Sequence, residues 1–384
     1  MLPGLAYALQ NWARFSFTFL QFAAEGRVLH APLTLISPTI EDVASSENIL
    51  KCMHLVGNGV RWKASVQRFE INKLRWASGI QRDLLFGTYE PGKTVNFDII
   101  ERGKLRHIQA HHVRDRAVQK AICNGALRPT VYPTLIYDNS ASQEGKGTDF
   151  ALKRLKEHLR WHLARYGKTG VIVIIDLHSY FDTIPHDKAE KRLTRHISDQ
   201  KIIKATRKII DNNPGELGLG LGSEVSQIGA ISYTDEIDRI VKEKYGIHCY
   251  GRFNDDSYFI CSDRKTAELC LEDIRKALKG IGLQTNEKKT AIHNLSSDDF
   301  VYLKKRVHIE DSGKIVFRIA RKNIRDERKK ILDQRAEYDA GRMSMDYIVK
   351  SYETWRNYAK KYCAYHTVGE MDKFFADTMR KEKK

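Results

Sequence analysis

The chain has 384 residues, of which 42% are hydrophobic and 29% are charged, a balance typical of a globular protein and not of a disordered one. Its formal charge of +17, from 65 Lys and Arg against 48 Asp and Glu, favours a polyanionic partner, most often nucleic acid. The six cysteines form no Cys-x-x-Cys pair, which argues against a disulfide or zinc scaffold. No run reaches the ~18 apolar residues that a membrane span needs. These observations predict a cytoplasmic protein.

Residues 1–46 form an N-terminal extension that carries no motif but is rich in aromatic side chains such as Trp12. Aromatic side chains at this density avoid water, so the segment is predicted to pack. The sequence leaves open whether it packs on the body of the same chain or in a homo-oligomer. Residues 47–85 are predicted to be helical and basic, with an interruption at Gly57 and Gly59.

A strand over residues 95–100 is followed by Gly103, which allows a hairpin turn. Lys104 and Arg106 then alternate onto one face of the returning strand. Two cations on a strand face are most often a solvated edge, and a phosphate-binding pair is the alternative. An amphipathic basic helix is predicted over residues 149–166.

Two stretches carry the carboxylates. Val171 to Ile175 are five consecutive β-branched residues, which predict a fully buried strand with Asp176 at its exit. Residues 249–260 contain two apolar runs around Asn-Asp-Asp, which predicts a hairpin with Asp255 and Asp256 near its turn. Adjacent carboxylates repel unless a cation lies between them, although a plain polar turn is the commoner case. Three carboxylates on adjoining strands are the minimum for a two-metal phosphoryl or nucleotidyl transfer site.

The remaining chain is punctuated by glycines at 215, 218, 220 and 222, which permit a close backbone approach to a ligand or form a flexible loop. Hydrophobic periodicity predicts helices over residues 187–212, 226–244 and 265–280 and a basic helical region over residues 323–384. Residues 300–304 and 314–318 are predicted to pair as two strands.

Together these stretches resemble motifs of reverse transcriptases. The resemblance covers motif A at residues 176–181, the bacterial form of motif B at 218–227, motif C at 253–256, motif D at 282–290, and fingers blocks at 101–108, 115–119 and 145–148. One such motif is weak evidence, but this many in the family's order are specific. The resemblance implies an α+β right-hand polymerase: fingers over 47–170, an antiparallel-sheet palm over 171–300 with a fingers-like insertion near 187–215, and the palm edge with a small helical thumb over 301–384.

The resemblance also implies a metal site. Asp176, Asp255 and Asp256 would be catalytic residues that hold two Mg²⁺ ions, or Mn²⁺ in their place, and Leu177 would add a backbone carbonyl. In motif D, Lys289 matches the family's lysine better than its neighbour does, and would act as a proton donor or charge stabiliser near the leaving pyrophosphate. An ordinary surface lysine is the alternative.

The implied nucleotide-binding set is Lys104, Arg106, Phe181, Leu221, Gly222 and Gln227. The two cations would clamp the triphosphate of the incoming nucleotide. The ring of Phe181 would crowd a ribose 2′-hydroxyl and so favour deoxynucleotides, unless it or Tyr180 simply fills the core.

The function implied is that of an RNA-directed DNA polymerase, which uses dNTPs and an RNA template and releases a DNA product. Many family members have Gln at the position of Leu221. An apolar residue there resembles the defence-associated and the diversity-generating bacterial groups. The preferred interpretation is an anti-phage defence enzyme that copies a dedicated non-coding RNA. The alternatives are a diversity-generating retroelement enzyme, an RNA-binding maturase or scaffold with incidental polymerase activity, and a template-independent or RNA-making polymerase on the same palm.

Overall fold

The computed structural model describes residues 37–101, 104–362 and 364–380, without the side chains of residues 100, 101, 104 and 105. One compact unit begins at Ser37. Residues 37–46, which the sequence-based boundary assigns to the N-terminal extension, lie in this unit, since Ile40 and Val43 are buried in its main apolar core. The predicted packing of the aromatic residues 1–36 lies outside the described residues.

Four helices open the unit: α1 Ile40–Val43, α2 Ser46–Val56, α3 Ala64–Ile71 and α4 Lys73–Leu85. The hydroxyl of Ser45 caps α2 by accepting the backbone N–H of Asn48 at 3.3 Å. The helix ends at Gly57, and Gly59 then adopts a φ of +75°, which favours glycine. The predicted interruption is therefore confirmed.

An antiparallel hairpin follows, formed by β1 Val95–Glu101 and β2 Lys104–Ala110. Its strands agree with the predicted hairpin, whose tip at residues 102 and 103 lies outside the described residues. A helical run comes next, made of α5 Val113–Ile122, a π-helical turn Cys123–Leu127, α6 Arg128–Val131 and a 3-10 turn Tyr132–Thr134. The long helix α7 Thr148–Tyr166 confirms the helix predicted over residues 149–166.

Helices also fill the region between the two strands that carry the carboxylates: α8 Tyr180–Thr183, α9 His186–Thr194, α10 Gln200–Asp211, α11 Glu224–Tyr233 and α12 Asp235–Arg239, which ends in a π-helical turn Ile240–Lys244. The prediction of one continuous helix over 226–244 is wrong. Thr234 leaves the helical conformation at φ −103° and ψ 24°. The break places the buried Asp235 against the guanidinium groups of Arg192 and Arg195, at 2.5 and 2.7 Å.

The central sheet is antiparallel in the order β4-β5-β3-β6, with β3 Val171–Asp176, β4 Tyr250–Phe253, β5 Asp256–Cys261 and β6 Ala291–Asn294. Every residue of β3 is buried, as predicted. Val173 and Ile175 belong to the main core, whereas Ile172 and Ile174 belong to a second core that includes α7. The strand lacks polar alternation because apolar side chains cover both of its faces. Helix α13 Arg264–Ile281 packs on the main-core side.

A second antiparallel sheet contains β7 Phe300–Tyr302, β8 Lys305–Ile309 and β9 Ile315–Ile319, in that order. The prediction that residues 300–304 pair with 314–318 is wrong, because β8 lies between the two strands and pairs with both. Sequence periodicity misses β8 because a lysine stands at one of its inward positions. Lys305, Val307 and Ile309 are the buried residues of this strand.

Lys305 is fully buried between two aromatic rings. Its Nζ lies 3.6 Å from the ring centroid of Tyr358 and 3.3 Å from that of Tyr362. Burial lowers the pKa of Lys305 to about 7, although the carboxylate of Asp149 acts in the opposite direction. The same carboxylate accepts hydrogen bonds from Lys361 and from the hydroxyl of Tyr362. This cation–aromatic contact joins the second sheet to the C-terminal helices.

Three helices end the described chain: α14 Arg321–Asp339, α15 Met345–Lys361 and α16 Tyr365–Arg380. Their apolar core contains Ile331, Tyr352, Trp355 and Met371 and is separate from the two cores of the central sheet. The predicted helical region is confirmed over these ranges. Among the described residues, no helix combines the length and the apolar character needed to cross a membrane.

Candidate active site

The pairing of β3 with β5 places Asp176 directly opposite Asp256. Facing residues of an antiparallel pair have Cβ atoms about 5 Å apart, so the two carboxylates share one surface. Asp255 lies in the turn before β5, where its backbone carbonyl accepts the N–H of Leu177 at 3.3 Å. Asn254 opens this turn at a φ of +53°, a conformation that asparagine tolerates. One strand pair and one turn therefore bring the three predicted carboxylates together.

The carboxylates interact strongly because they are close and partly withdrawn from water. Burial raises the pKa of Asp256 to about 7, and the negative charges of Asp255 and Asp176 add to this effect. The Oδ2 atom of Asp176 accepts a hydrogen bond from Lys289 Nζ at 2.5 Å. Its Oδ1 atom is buried without a hydrogen-bond partner among the described residues. The Lys289 ammonium thus contacts Asp176 directly and opposes the rise in the pKa of Asp256.

This arrangement fits a divalent cation. Within the part of the chain that the structure describes, no group of three or more His, Cys, Asp or Glu side chains is placed so that it could hold a metal ion without rearrangement. Two observations nevertheless match the ion: the unpaired Oδ1 of Asp176, and the raised pKa of Asp256, which burial causes first and the charges of Asp255 and Asp176 increase further. Carboxylate oxygens are the donors that Mg²⁺ prefers, and a cation would remove the repulsion.

We expect Asp256→Asn to stabilise the metal-free protein at neutral and higher pH. A carboxyl group whose pKa is raised in the folded state favours folding at low pH, and this contribution is lost as the pH rises from about 4 through about 7. The gain of the variant should be small at pH 4 and reach at most about 4 kcal/mol above pH 8, since the pKa of Asp256 is raised by about three in the folded state. Urea unfolding in a chelator at each pH measures it, with the exposed Asp333→Asn as control. An equal trend in both variants would refute the expectation.

The two aromatic residues after β3 have different environments. Tyr180 is buried, and its hydroxyl donates to the carbonyl oxygen of Ala230 at 2.5 Å. Phe181 is only half-buried, and its ring centroid lies 5.8 Å from that of Tyr180. Tyr180 is therefore the residue that fills the core. Phe181 keeps an accessible ring beside the carboxylates' strand, and its action on a ribose remains a prediction.

The glycine-rich loop before α11 contacts the base of the hairpin. The backbone N–H of Gln109 at the end of β2 donates to the carbonyl oxygen of Leu221 at 3.1 Å. A Cβ atom on Gly222 would lie 2.5 Å from the Gln109 carbonyl oxygen, whereas one on Gly220 would meet only the Oε1 atom at the flexible end of the Gln109 side chain. Gly222 therefore permits a close approach of backbone to backbone, in addition to the two alternatives that the sequence left open, a ligand contact or a flexible loop. No sequence signal pointed to Gln109.

Gly222→Ala is expected to destabilise the fold by about 2–3 kcal/mol. The new methyl group would collide with the carbonyl of Gln109, and the φ of +121° at Gly222 disfavours any L side chain. Urea unfolding measures the loss. Gly280→Ala on α13 is the matched control, because a Cβ there meets open space and should be neutral or stabilising. Equal stability of the Gly222→Ala variant and the parent would contradict the steric argument.

The other predicted nucleotide-binding residues are distributed around this loop. Arg106 is half-buried on β2 opposite Ile99, and the side chain of Lys104 lies outside the described residues. Leu221 is half-buried, and Gln227 is exposed on α11. The motif B loop thus contacts the hairpin through β2. Binding of a triphosphate by Lys104 and Arg106 stays a prediction.

A buried ion pair supports the hairpin that carries Asp255. Arg252 on β4 donates to the Asp238 carboxylate through Nε at 2.8 Å and through a terminal nitrogen at 2.7 Å, and both side chains are 2% exposed. The same guanidinium donates to the carbonyl oxygen of Ile231, and the hydroxyl of Tyr250 also donates to Asp238. Sequence reasoning missed this pair. Its signal was an arginine inside an apolar strand, where such a side chain needs a partner.

Comparison with known proteins places these residues in a family. The sequence matches the reverse transcriptase (RNA-dependent DNA polymerase) family over residues 92–328. It is similar to Protein YkfC of Escherichia coli (strain K12), with 26% identity over 275 residues that cover 59% of this chain and 70% of that protein.

Among solved structures, the chain is similar to apo telomerase from Candida tropicalis truncated from the C-terminal domain. The identity is 17% and the TM-score is 0.45, over 60% of this chain and 55% of that one, so the chain spans little more than half of that structure. The family match covers more than half of the chain and includes Asp176, Asp255 and Asp256. The chain therefore belongs to the reverse transcriptase (RNA-dependent DNA polymerase) family.

Proposed function

We propose that this chain is an RNA-directed DNA polymerase, a nucleotidyltransferase that copies an RNA template into DNA from dNTPs. The observation that carries the proposal is the pairing of Asp176 with Asp256, beside Asp255, where β3 leaves the central sheet. The formal charge of +17 supports a nucleic-acid substrate.

In this proposal, Asp176 and Asp255 hold two Mg²⁺ ions, or Mn²⁺, with the backbone carbonyl of Leu177. When bound, such ions activate a primer 3′-hydroxyl and neutralise the charge of a triphosphate. Asp256 has the weaker claim to direct ligation, and its charge would act on the site electrostatically. Each carboxylate must be deprotonated to hold a cation, so we expect metal binding to tighten as the pH rises through the pKa of Asp256.

The remaining site residues would position the nucleotide. Lys289 holds a proton at Nζ, which is within reach of the catalytic carboxylates and could pass to the leaving pyrophosphate. The half-buried ring of Phe181 would exclude a 2′-hydroxyl. The clamp on the triphosphate would be formed by Lys104 and Arg106, and the pocket for the nascent base pair by Leu221, Gly222 and Gln227.

Product analysis tests the activity. The purified protein is given a primed RNA template, Mg²⁺ and either labelled dNTPs or labelled NTPs. We expect incorporation of dNTPs that depends on the template and yields a product sensitive to DNase and resistant to RNase. Incorporation of NTPs into an RNase-sensitive product, or addition without a template, would replace this proposal with one of its rivals.

The subdomain boundaries belong to the proposal. We propose fingers over 47–170, a palm over 171–300 with an insertion near 187–215, and a palm edge with thumb over 301–384. The central antiparallel sheet and the C-terminal helical core support this division. The free, buried thiols of the described cysteines support a reducing cytoplasm: Cys52, Cys123, Cys249, Cys261 and Cys270.

For the biological role, we propose reverse transcription of a dedicated non-coding RNA in anti-phage defence. Leu221, in place of the glutamine of many family members, supports this group or the diversity-generating group. The two roles can be distinguished by sequencing the RNA and DNA that co-purify with the protein from its native host. Repetitive cDNA from one short RNA supports defence, and an adenine-mutagenised copy of a nearby gene segment supports diversity generation. An absence of bound RNA would contradict both.

A further inference from the structure

Residues 61–76, at the start of the main unit, form a surface that we name the basic aromatic face. It comprises the end of the α2–α3 connection, helix α3 and the first turn of α4. Of these residues, only Val66 and Phe69 are buried. Large apolar side chains are nevertheless exposed on it: Trp62 at 75%, Ile71 at 82%, Leu74 at 76% and Trp76 at 39%. Exposed apolar groups at this density mark an interaction surface.

The same face is strongly positive. It carries five cations and a single carboxylate: Arg61, Lys63, Arg68, Lys73, Arg75 and Glu70. Arg61 lies 3.6 Å from Glu70. Among the residues that the structure describes, the other four cations form no ion pair. Fixed positive charge without internal compensation attracts a polyanion.

Cations and rings alternate within this surface. Lys63 Nζ lies 5.5 Å from the ring centroid of Trp62, which is almost wholly exposed. Trp76 packs against the buried Phe69 with ring centroids 5.8 Å apart, which leaves part of its indole accessible. Aromatic faces stack on unpaired nucleobases while neighbouring cations contact phosphates, and this combination is typical of binding to single-stranded nucleic acid.

A second copy of this chain is a poorer occupant. A two-fold contact would place the same four unpaired cations of each copy against one another, and like charges repel. A lipid surface is also disfavoured, because membrane-binding helices present a continuous apolar stripe. Here the apolar stripe of α3, Val66 and Phe69, faces the protein interior. The exposed rings stand singly among cations.

We propose that the basic aromatic face binds an unpaired segment of the RNA on which the polymerase acts, and so anchors that RNA through residues other than the catalytic carboxylates. The inference rests on the proposed function for the identity of its ligand. It names a residue set that none of the catalytic motifs contains. The RNA would be held by stacking on Trp62 and by phosphate contacts from the four unpaired cations.

The test compares two variants with equal loss of charge. One is Lys63→Gln/Arg68→Gln/Lys73→Gln/Arg75→Gln, and the control is Arg264→Gln/Lys265→Gln/Lys276→Gln/Lys279→Gln on the exposed side of α13. The probe is a 40-nucleotide unstructured RNA, with affinity measured at several KCl concentrations. We expect the first variant to bind at least about tenfold more weakly at 0.1 M salt, with a salt slope smaller by about 3. The control should change less than about twofold.

Trp62→Ala provides an independent variant on the same face. It should weaken binding of the same RNA about fivefold to tenfold while leaving the salt slope unchanged, since stacking releases no counterions. Trp62 is 75% exposed, so its truncation removes little packing, and circular dichroism checks that the variant is folded. Equal affinity of the four-cation variant and its control would overturn the proposal.

Further measurements separate the other outcomes. Primer extension on a short template–primer duplex should be unchanged in all these variants. A failure of extension in the parent protein would refute the proposed polymerase activity without bearing on RNA binding by the basic aromatic face. Loss of a dimer in sedimentation of Trp62→Ala, without loss of RNA affinity, would assign the face to a second copy. Binding to phosphatidylserine vesicles that the four-cation variant loses, again with RNA affinity intact, would assign it to a membrane.

Discussion

Asp255→Ala/Asp256→Ala is expected to lower nucleotide incorporation by at least ~1,000-fold while RNA affinity changes little. The two carboxylates lie beside Asp176 at the end of β3, where Asp255 would hold the cations that stabilise charge in the transition state and Asp256 would act on them through its charge. Loss of several kcal/mol of such stabilisation corresponds to this factor in rate. Single-turnover extension of a primed RNA template measures the rate, and RNA binding is measured separately by filter retention.

Asp333→Asn is a suitable control, because Asp333 is exposed on α14 and is remote in sequence from the carboxylate motifs. It should retain full activity. Undiminished incorporation by the double variant would move the catalytic site elsewhere. A full biological effect of an inactive double variant in the native host would instead favour the RNA-binding scaffold over the polymerase.

Arg252→Met should destabilise the protein by about 3–5 kcal/mol. The substitution leaves the Asp238 carboxylate buried at 2% exposure without its two guanidinium hydrogen bonds, and it also removes the donor to the Ile231 carbonyl. An uncompensated buried charge is among the most destabilising single changes. Chemical denaturation followed by circular dichroism measures the difference in the free energy of unfolding.

Two comparisons isolate the effect of burial. Arg239→Met removes an exposed arginine that pairs with Glu243 one helical turn away, and it should change stability by less than about 1 kcal/mol. Asp238→Leu/Arg252→Met replaces both partners with apolar side chains and should recover at least half of the loss. Similar losses for Arg252→Met and Arg239→Met would show that the pair is not buried in solution.

The sequence was sufficient for the parts of the site that follow from local patterns. Val171 to Ile175 predict a strand because β-branched residues without polar alternation fit a strand buried on both faces. The Asn-Asp-Asp turn between two apolar runs predicts the hairpin, and the family's motif order predicts that the two carboxylate stretches meet. The register that sets Asp176 opposite Asp256 agrees with that expectation.

Features that depend on distant residues were not predictable. The contact of Gln109 with Gly222 joins β2 to the loop before α11, more than a hundred residues later in the chain, and glycine spacing alone does not reveal a partner. From its sequence context Lys305 would be expected in solvent, but the rings of Tyr358 and Tyr362 cover it in the folded chain. Thr234 is compatible with a helix, and the sequence does not show that the next residue, Asp235, is buried against two arginines from another helical segment.

The buried side chain of Lys305 also contributes to the attachment of the C-terminal helices. These helices pack chiefly against one another, and their apolar core also includes Ile319 of β9. Lys305 contacts the ring of Tyr358 on α15, and Asp149 accepts a hydrogen bond from Lys361 at the end of the same helix. The C-terminal helices are therefore attached to the rest of the chain by two contacts of different chemistry, one a cation–aromatic contact and the other an ion pair. A substitution at either contact would leave the other in place.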